Sequence, residues 1–145
     1  MVNEIHSVVD QLGGEQVFGD ALHTEADLQH AIRDGLPQAS VGGIMRSADI
    51  GLKELASVLD LSARSLQRRR RQGRLARFES DRLYRLARTV ALAKHYLGDP
   101  DLAIRWLKRP NQALGGMIPL ELLDTEIGSR SVENVLGRIA YGGVS

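Results

Sequence analysis

No stretch of this chain alternates apolar and polar side chains in the way a half-buried strand requires. Apolar residues recur instead three and four positions apart, with leucine and alanine leading. That spacing lays a stripe along one side of a helix, so the chain is confined to an all-α fold. Ile5, Val8, Val9 and Leu12 predict a short helix ending at Gly13 and Gly14. Thr24, with Asp27 three residues on, predicts the capped start of a helix buried through Leu28, Ala31 and Ile32 and ended by Gly35 and Pro37. A helix over 38–46 is weakened by Gly42 and Gly43, at roughly 1 kcal/mol per glycine. A helix over 81–97 is expected with Ser80 as cap and a stripe of Leu83, Leu86, Ala87, Val90, Ala93 and Leu97. Asp99 then caps a helix whose first residue is Pro100, where the missing N–H costs nothing, and which runs to Leu107. Pro119 starts a short one through Leu123. Ser129 or Ser131 is expected to open the last helix, with Val132, Val135, Leu136 and Ile139 inward and Gly142–Gly143 ending it.

With 145 residues the chain is long enough for one domain, or two small ones sharing a core. It has no 18-residue apolar run to cross a membrane and no basic-then-apolar signal pattern. It has no cysteine, and hence neither disulfides nor thiolate metal sites. A soluble, cytoplasmic protein is the expectation.

The formal net charge of +1 conceals a strong asymmetry. Residues 1–63 hold 10 acids and 3 bases, and residues 89–145 hold 6 of each. Between them, residues 64–88 hold 10 arginines against Glu79 and Asp81. A patch this concentrated attracts polyanions far better than scattered charge, which points to a nucleic-acid or phosphate partner; with the helix-turn-helix pattern of the same region, the expectation is double-stranded DNA.

The same region carries a helix-turn-helix pattern. Such a unit needs a small residue where its helices cross, a turn residue tolerating positive φ, and apolar residues just after the turn and midway along the second helix. Ala56, Asp60, Leu61 and Leu66 hold those positions, Leu55 and Leu59 share the first helix's buried face, and Ser62 caps the second helix. With Leu66 inward at 100° per residue, Arg64, Arg68 and Arg71 point outward and Gln67 lies at the flank. Arginine and glutamine are the side chains that read guanine and adenine edges in a major groove. The expected DNA-binding residues are therefore Lys53, Ser62, Arg64, Gln67, Arg68, Arg71 and Arg74. Arg69 and Arg70 fall nearer the core side and are expected to snorkel to phosphates or to mark the helix end. A homodimer through the N-terminal half is expected, because one such unit makes few base contacts.

A second constellation lies toward the C-terminus. It runs Trp106-Leu107, Pro110-Asn111, Leu114-Gly115-Gly116, Pro119-Leu120, Leu122-Leu123, Thr125-Glu126 and Gly128. Val132, Val135, Leu136, Ile139, Tyr141 and Gly142 follow. Physically this is a compact helical unit in which Trp106 is the large anchor, Asn111 bonds a backbone turn and the glycine pair allows a tight reversal. From Trp106 to Gly142 it resembles the C-terminal toxin-binding domain of Xre-type antitoxins, the MbcA/ParS/Xre family paired with RES-domain toxins. From about Gln16 onward the whole chain resembles that family's order of segments. The resemblance implies an N-terminal helical segment over 1–37, a helix-turn-helix module over 38–78 and a toxin-binding domain over 79–145. It also implies an antitoxin that covers the active-site entrance of an NAD-degrading RES toxin and binds its own promoter. The expected toxin-binding residues are Trp106, Asn111 and Glu126 of that motif and, at the end of the chain, Arg138, Tyr141, Gly142, Val144 and Ser145, since Gly142–Gly143 should break the helix after Tyr141 and release Val144 and Ser145 as a short probe.

No catalytic constellation accompanies these features. His6, His23, His30 and His95 are dispersed without HxxxH or HExxH spacing, and no phosphate-binding glycine loop is present. The acids Asp99, Asp101, Asp124 and Glu126 sit where caps and first-turn dipole partners belong. The chain is thus expected to be neither an enzyme nor a holder of metal or cofactor. A stand-alone helix-turn-helix regulator with a C-terminal sensing or dimerisation domain is the alternative reading. A RES-domain frame beside the gene would decide for the antitoxin.

Overall fold

The structure, a computed structural model, describes residues 4–142. It is all-α among those residues: α1 (Glu4–Gln11), α2 (Glu15–Phe18), α3 (Glu25–Asp34), α4 (Ala39–Ala48), α5 (Leu52–Val58), α6 (Ala63–Arg71), α7 (Arg77–Leu97), α8 (Pro100–Leu107) and α9 (Glu126–Gly142). Two 3₁₀ turns, Gln112–Leu114 and Pro119–Leu122, separate α8 from α9.

The spine is α7. At 21 residues it spans about 30 Å. Helices α1, α3, α4, α5, α8 and α9 all pack on it. Leucine and alanine on several sides of α7 make this possible: Leu83, Leu86, Ala87, Val90 and Ala93 are fully buried. One continuous apolar cluster therefore runs from Val8 through Leu66 to Leu136.

Local chemistry sets most boundaries. Thr24 Oγ1 accepts the Asp27 N–H while Asp27 accepts the Thr24 N–H, a reciprocal cap that contributes about 1 kcal/mol. The N–H groups of His23 and Thr24 on the Asp27 carboxylate also hold its pKa below the ordinary value of 3.8. Asp99 caps α8 through the Asp101 N–H. Gly43 is a requirement rather than a weakness in α4, since a Cβ there would lie 2.5 Å from the Leu12 carbonyl carbon. Only glycine lets the end of α1 cross α4 so closely.

Two helix starts differ from expectation. The spine begins at Arg77, not at Asp81, and Ser80 is not its cap. Glu79 reaches back to accept the Ala76 N–H at 2.8 Å, while Ser80 is buried and its Oγ accepts the Leu36 N–H at 2.8 Å. The last helix begins at Glu126, ahead of Ser129 and Ser131. There Thr125 Oγ1 accepts the Gly128 N–H at 2.9 Å. In both places a serine was expected to cap on its side-chain chemistry, yet the fold needed it inside. Ile139, expected inward, is only half-buried.

One half-buried cation joins three helices. Lys94 Nζ on α7 donates to Gln11 Oε1, Ser47 O and Ser47 Oγ at 2.9, 3.0 and 2.9 Å. Burial pushes its pKa below the ordinary value of 10.5.

Candidate nucleic-acid and partner-protein faces

Helices α5 and α6 meet in a turn that needs one residue at positive φ. Asp60 supplies it, at φ 58°. The turn closes by the Leu61 N–H to Ala56 O at 2.8 Å, possible because Ala56 is small and buried at the crossing. Ser62 Oγ accepts the Ser65 N–H at 3.0 Å to start α6. Fully buried Leu66 then fixes the rotation of α6 about its axis.

That rotation leaves Arg64, Gln67, Arg68 and Arg71 exposed, with no ion pair among the described residues. Lys53 is exposed on α5 and borders a shallow depression with Ser57, Asp60, Ser62 and Asp124. Arg74 is exposed, but its Nη1 donates to Gly35 O at 3.0 Å, which ties it to the loop behind α3.

Three other arginines of the run pair inside the fold. Arg69 neither snorkels outward nor marks the helix end. Its Nε donates to both carboxylate oxygens of buried Glu79 at 3.1 Å. The same carboxylate caps α7, so one buried acid fixes α6 against the spine. Arg88 Nε donates to Glu133 Oε1 at 2.7 Å, and its guanidinium lies 5.6 Å from the centre of the Tyr84 ring. Arg85 Nη1 lies 3.8 Å from Asp81 and 3.7 Å from Glu126. These side chains lock α9 to α7. The 10-arginine run is therefore not one patch.

The C-terminal residues occupy several environments. Trp106 on α8 is half-buried against the core. Asn111 Oδ1 accepts the Ala113 N–H at 2.9 Å, and its backbone pairs with Met117 across Gly115 and Gly116, both at positive φ. Glu126 pairs with Arg85, Arg88 and Arg130 at 3.7, 3.9 and 3.7 Å. Gly128 sits where a Cβ would lie 1.9 Å from Leu122 O, so the first turn of α9 can dock on the preceding 3₁₀ turn.

Helix α9 continues through Gly142, so Gly142 does not break it after Tyr141. A glycine in the last turn forgoes few helical bonds and is tolerated there. Val144 and Ser145 lie outside the described residues. Tyr141 is 87% exposed, and its ring meets Tyr96 of α7 edge-on at 6.3 Å. Partial burial, followed by the Tyr141 phenol beside it, raises the Tyr96 hydroxyl above its ordinary pKa of 10.0.

Ile127 (80% exposed), Arg130, Asn134, Arg138 and Tyr141 recur at helical spacing and form one continuous outward stripe on α9. Ile127, Arg130 and Asn134 were not singled out from the sequence. The spacing that finds the buried stripe Val132, Val135 and Leu136 finds this one when applied to the opposite side.

A groove of about 700 Å³ lies between α1, α3 and α7, bordered by Ile5, Leu28, Ile32, Phe78, Tyr84 and Tyr96, the last of which meets Tyr141 at the end of the α9 stripe. Among the described residues no cluster of three or more histidines or acids is arranged to hold a metal. No described helix is long and apolar enough to cross a membrane.

Comparison with known proteins separates the same two faces. Residues 27–88 match the family model described as the antitoxin Xre-like helix-turn-helix domain. Residues 92–142 match that of the antitoxin Xre/MbcA/ParS C-terminal toxin-binding domain. The two ranges meet on α7. An antitoxin Xre of Photorhabdus laumondii is 35% identical over 122 residues, covering 81% of each chain. An antitoxin Xre of Yersinia enterocolitica is 33% identical over 117 residues, covering 79% of each. Among solved structures, a chain of the M. tuberculosis MbcT-MbcA toxin-antitoxin complex is similar at a TM-score of 0.57 and 25% identity. The match covers 74% of this chain and 96% of that one.

Proposed function

Because the chain belongs to the Xre/MbcA/ParS antitoxin family, with a helix-turn-helix domain and a toxin-binding domain, we propose that it neutralises a RES-domain, NAD-degrading toxin and binds its own promoter. The toxin lies along the outward stripe of α9, and the C-terminal end of the chain covers the active-site entrance. Helix α6 reads the promoter in the major groove. The antitoxin acts as a homodimer through its N-terminal half, so that two copies of α6 meet half-sites about one helical turn apart. A strict monomer in sedimentation, with and without the upstream duplex, would contradict the dimer.

The observation that carries the reading is the state of α9. Its inner side is locked to the spine by Val132, Leu136 and the Arg88–Glu133 pair, while Arg138 and Tyr141 stand exposed at its end. A contact surface held rigid before binding loses little further freedom on binding. An exposed arginine can grip a carboxylate on the toxin, and an exposed phenol adds apolar area with a polar tip. The solved MbcT-MbcA complex, in which a similar chain is joined to a toxin, supports the same partner class.

Deletion of residues 141–145 tests the mechanism. Among the described residues none beyond Leu136 is buried, so the shortened chain should fold and bind DNA as before. Co-expressed with the toxin, it should no longer prevent NAD⁺ loss and growth arrest. Full protection by the shortened chain would move inhibition to the body of the domain.

A further inference from the structure

One member of the arginine run, Arg70, neither pairs inside the fold nor points with the outward set. It is half-buried on the side of α6 nearer Leu66, and its guanidinium reaches back over α4. Arg46, from the last turn of α4, reaches over the same residue. Both converge on Gly42: a Cβ at that residue would lie 3.3 Å from Arg46 Nη1 and 3.9 Å from Arg70 Nη2. Among the described residues neither guanidinium has a carboxylate or carbonyl partner.

We infer that Arg46 and Arg70 form an anion site over Gly42 that takes a backbone phosphate of duplex DNA. Two guanidiniums brought together without an acid repel each other. A shared phosphate replaces that repulsion with charge-assisted hydrogen bonds from both. Gly42 is what leaves room above the helix for the anion.

The position also suits the rim of a groove. A major groove is about 8.5 Å deep, whereas a helix with its side chains is about 10–12 Å across. When the outward arginines of α6 reach the base edges, the back of the helix stands level with the phosphates bordering the groove. Arg70 lies on that back flank, and Arg46 lies on the helix behind it. A phosphate contact of this kind carries no sequence information; it sets how deeply and at what angle α6 enters.

The inference rests on the reading of α6 as a DNA-binding helix, and its test separates the two. Gly42→Glu puts a carboxylate between the guanidiniums, and Gly42→Gln puts the same shape there without the charge. Both residues favour a helix more than glycine does, so α4 is not at risk. Arg46→Gln with Arg70→Gln removes the charges themselves. The readout is the dependence of affinity on salt, by fluorescence anisotropy, for the duplex upstream of the gene and for a scrambled duplex. Gly42→Glu and the double glutamine variant should each flatten the slope of log affinity against log salt by about 1 relative to Gly42→Gln. The flattening should be the same on both duplexes, with their affinity ratio unchanged. Equal slopes for all these variants, with the wild type binding normally, would overturn the phosphate site alone. No salt-dependent binding by the wild type would overturn the DNA reading and the site together.

Discussion

Arg64, Arg68 and Arg71 of α6 and Arg85 and Arg88 of α7 come from one 25-residue run and end in opposite circumstances. On α6, Arg64, Arg68 and Arg71 face solvent and form no ion pair among the described residues. On α7, Arg85 and Arg88 lie against Glu126 and Glu133 of α9 and hold two helices together. Residue type is the same in both. What differs is whether the fold delivers a carboxylate from elsewhere in the chain. Arg69 marks the boundary: it sits on α6 but pairs with Glu79, 10 residues later, and so belongs with the structural set. Charge density along a sequence thus predicts that a polyanion face exists, while tertiary contacts decide which arginines belong to it.

Stability measurements can break this division. The largest loss is expected for Glu79→Ala, which removes the cap of α7 and strands the Arg69 charge. Breaking a buried pair costs about 3–5 kcal/mol, and the part-exposed Arg69 side chain places this case near about 3 kcal/mol. In the same denaturant titration Glu133→Ala should rank second at about 1–2 kcal/mol, since both members of its pair keep some contact with water. A midpoint shift for Glu79→Ala no larger than that of a surface substitution, about 0.5 kcal/mol, would mean that Arg69 belongs to the outward set after all.

Much of this molecule can be read from sequence because its rules are local. The Thr24–Asp27 cap, the left-handed Asp60, the Ser62 cap and the Asp99–Pro100 start each involve neighbours within three residues, and each is found where expected. The starts of α7 and α9 were misplaced because Ser80 and Ser129 have ordinary capping chemistry. Their burial depends on Leu36 and on α7, contacts that lie far off in sequence. For the same reason the outward direction of Arg64, Arg68 and Arg71 follows from Leu66 alone, whereas the pairing of Arg69 does not. The convergence of Arg46 and Arg70 over Gly42 needs α4 brought beside α6, which no spacing rule reports. Tyr96 beneath Tyr141 is likewise a product of α9 packing on α7.

The division is tested most directly by replacing Arg64, Arg68 and Arg71 together with alanine. The readout is the ratio of affinities for the duplex upstream of the gene and a scrambled duplex. Each guanine-reading arginine supplies about 1–3 kcal/mol of base discrimination, so that ratio should fall toward one. The unfolding midpoint should barely move, because none of the three is bonded within the described fold. An unchanged affinity ratio would contradict the assignment of α6 as the reading helix. A large loss of stability would contradict the claim that these three arginines, unlike Arg85 and Arg88 of α7, are left free by the fold.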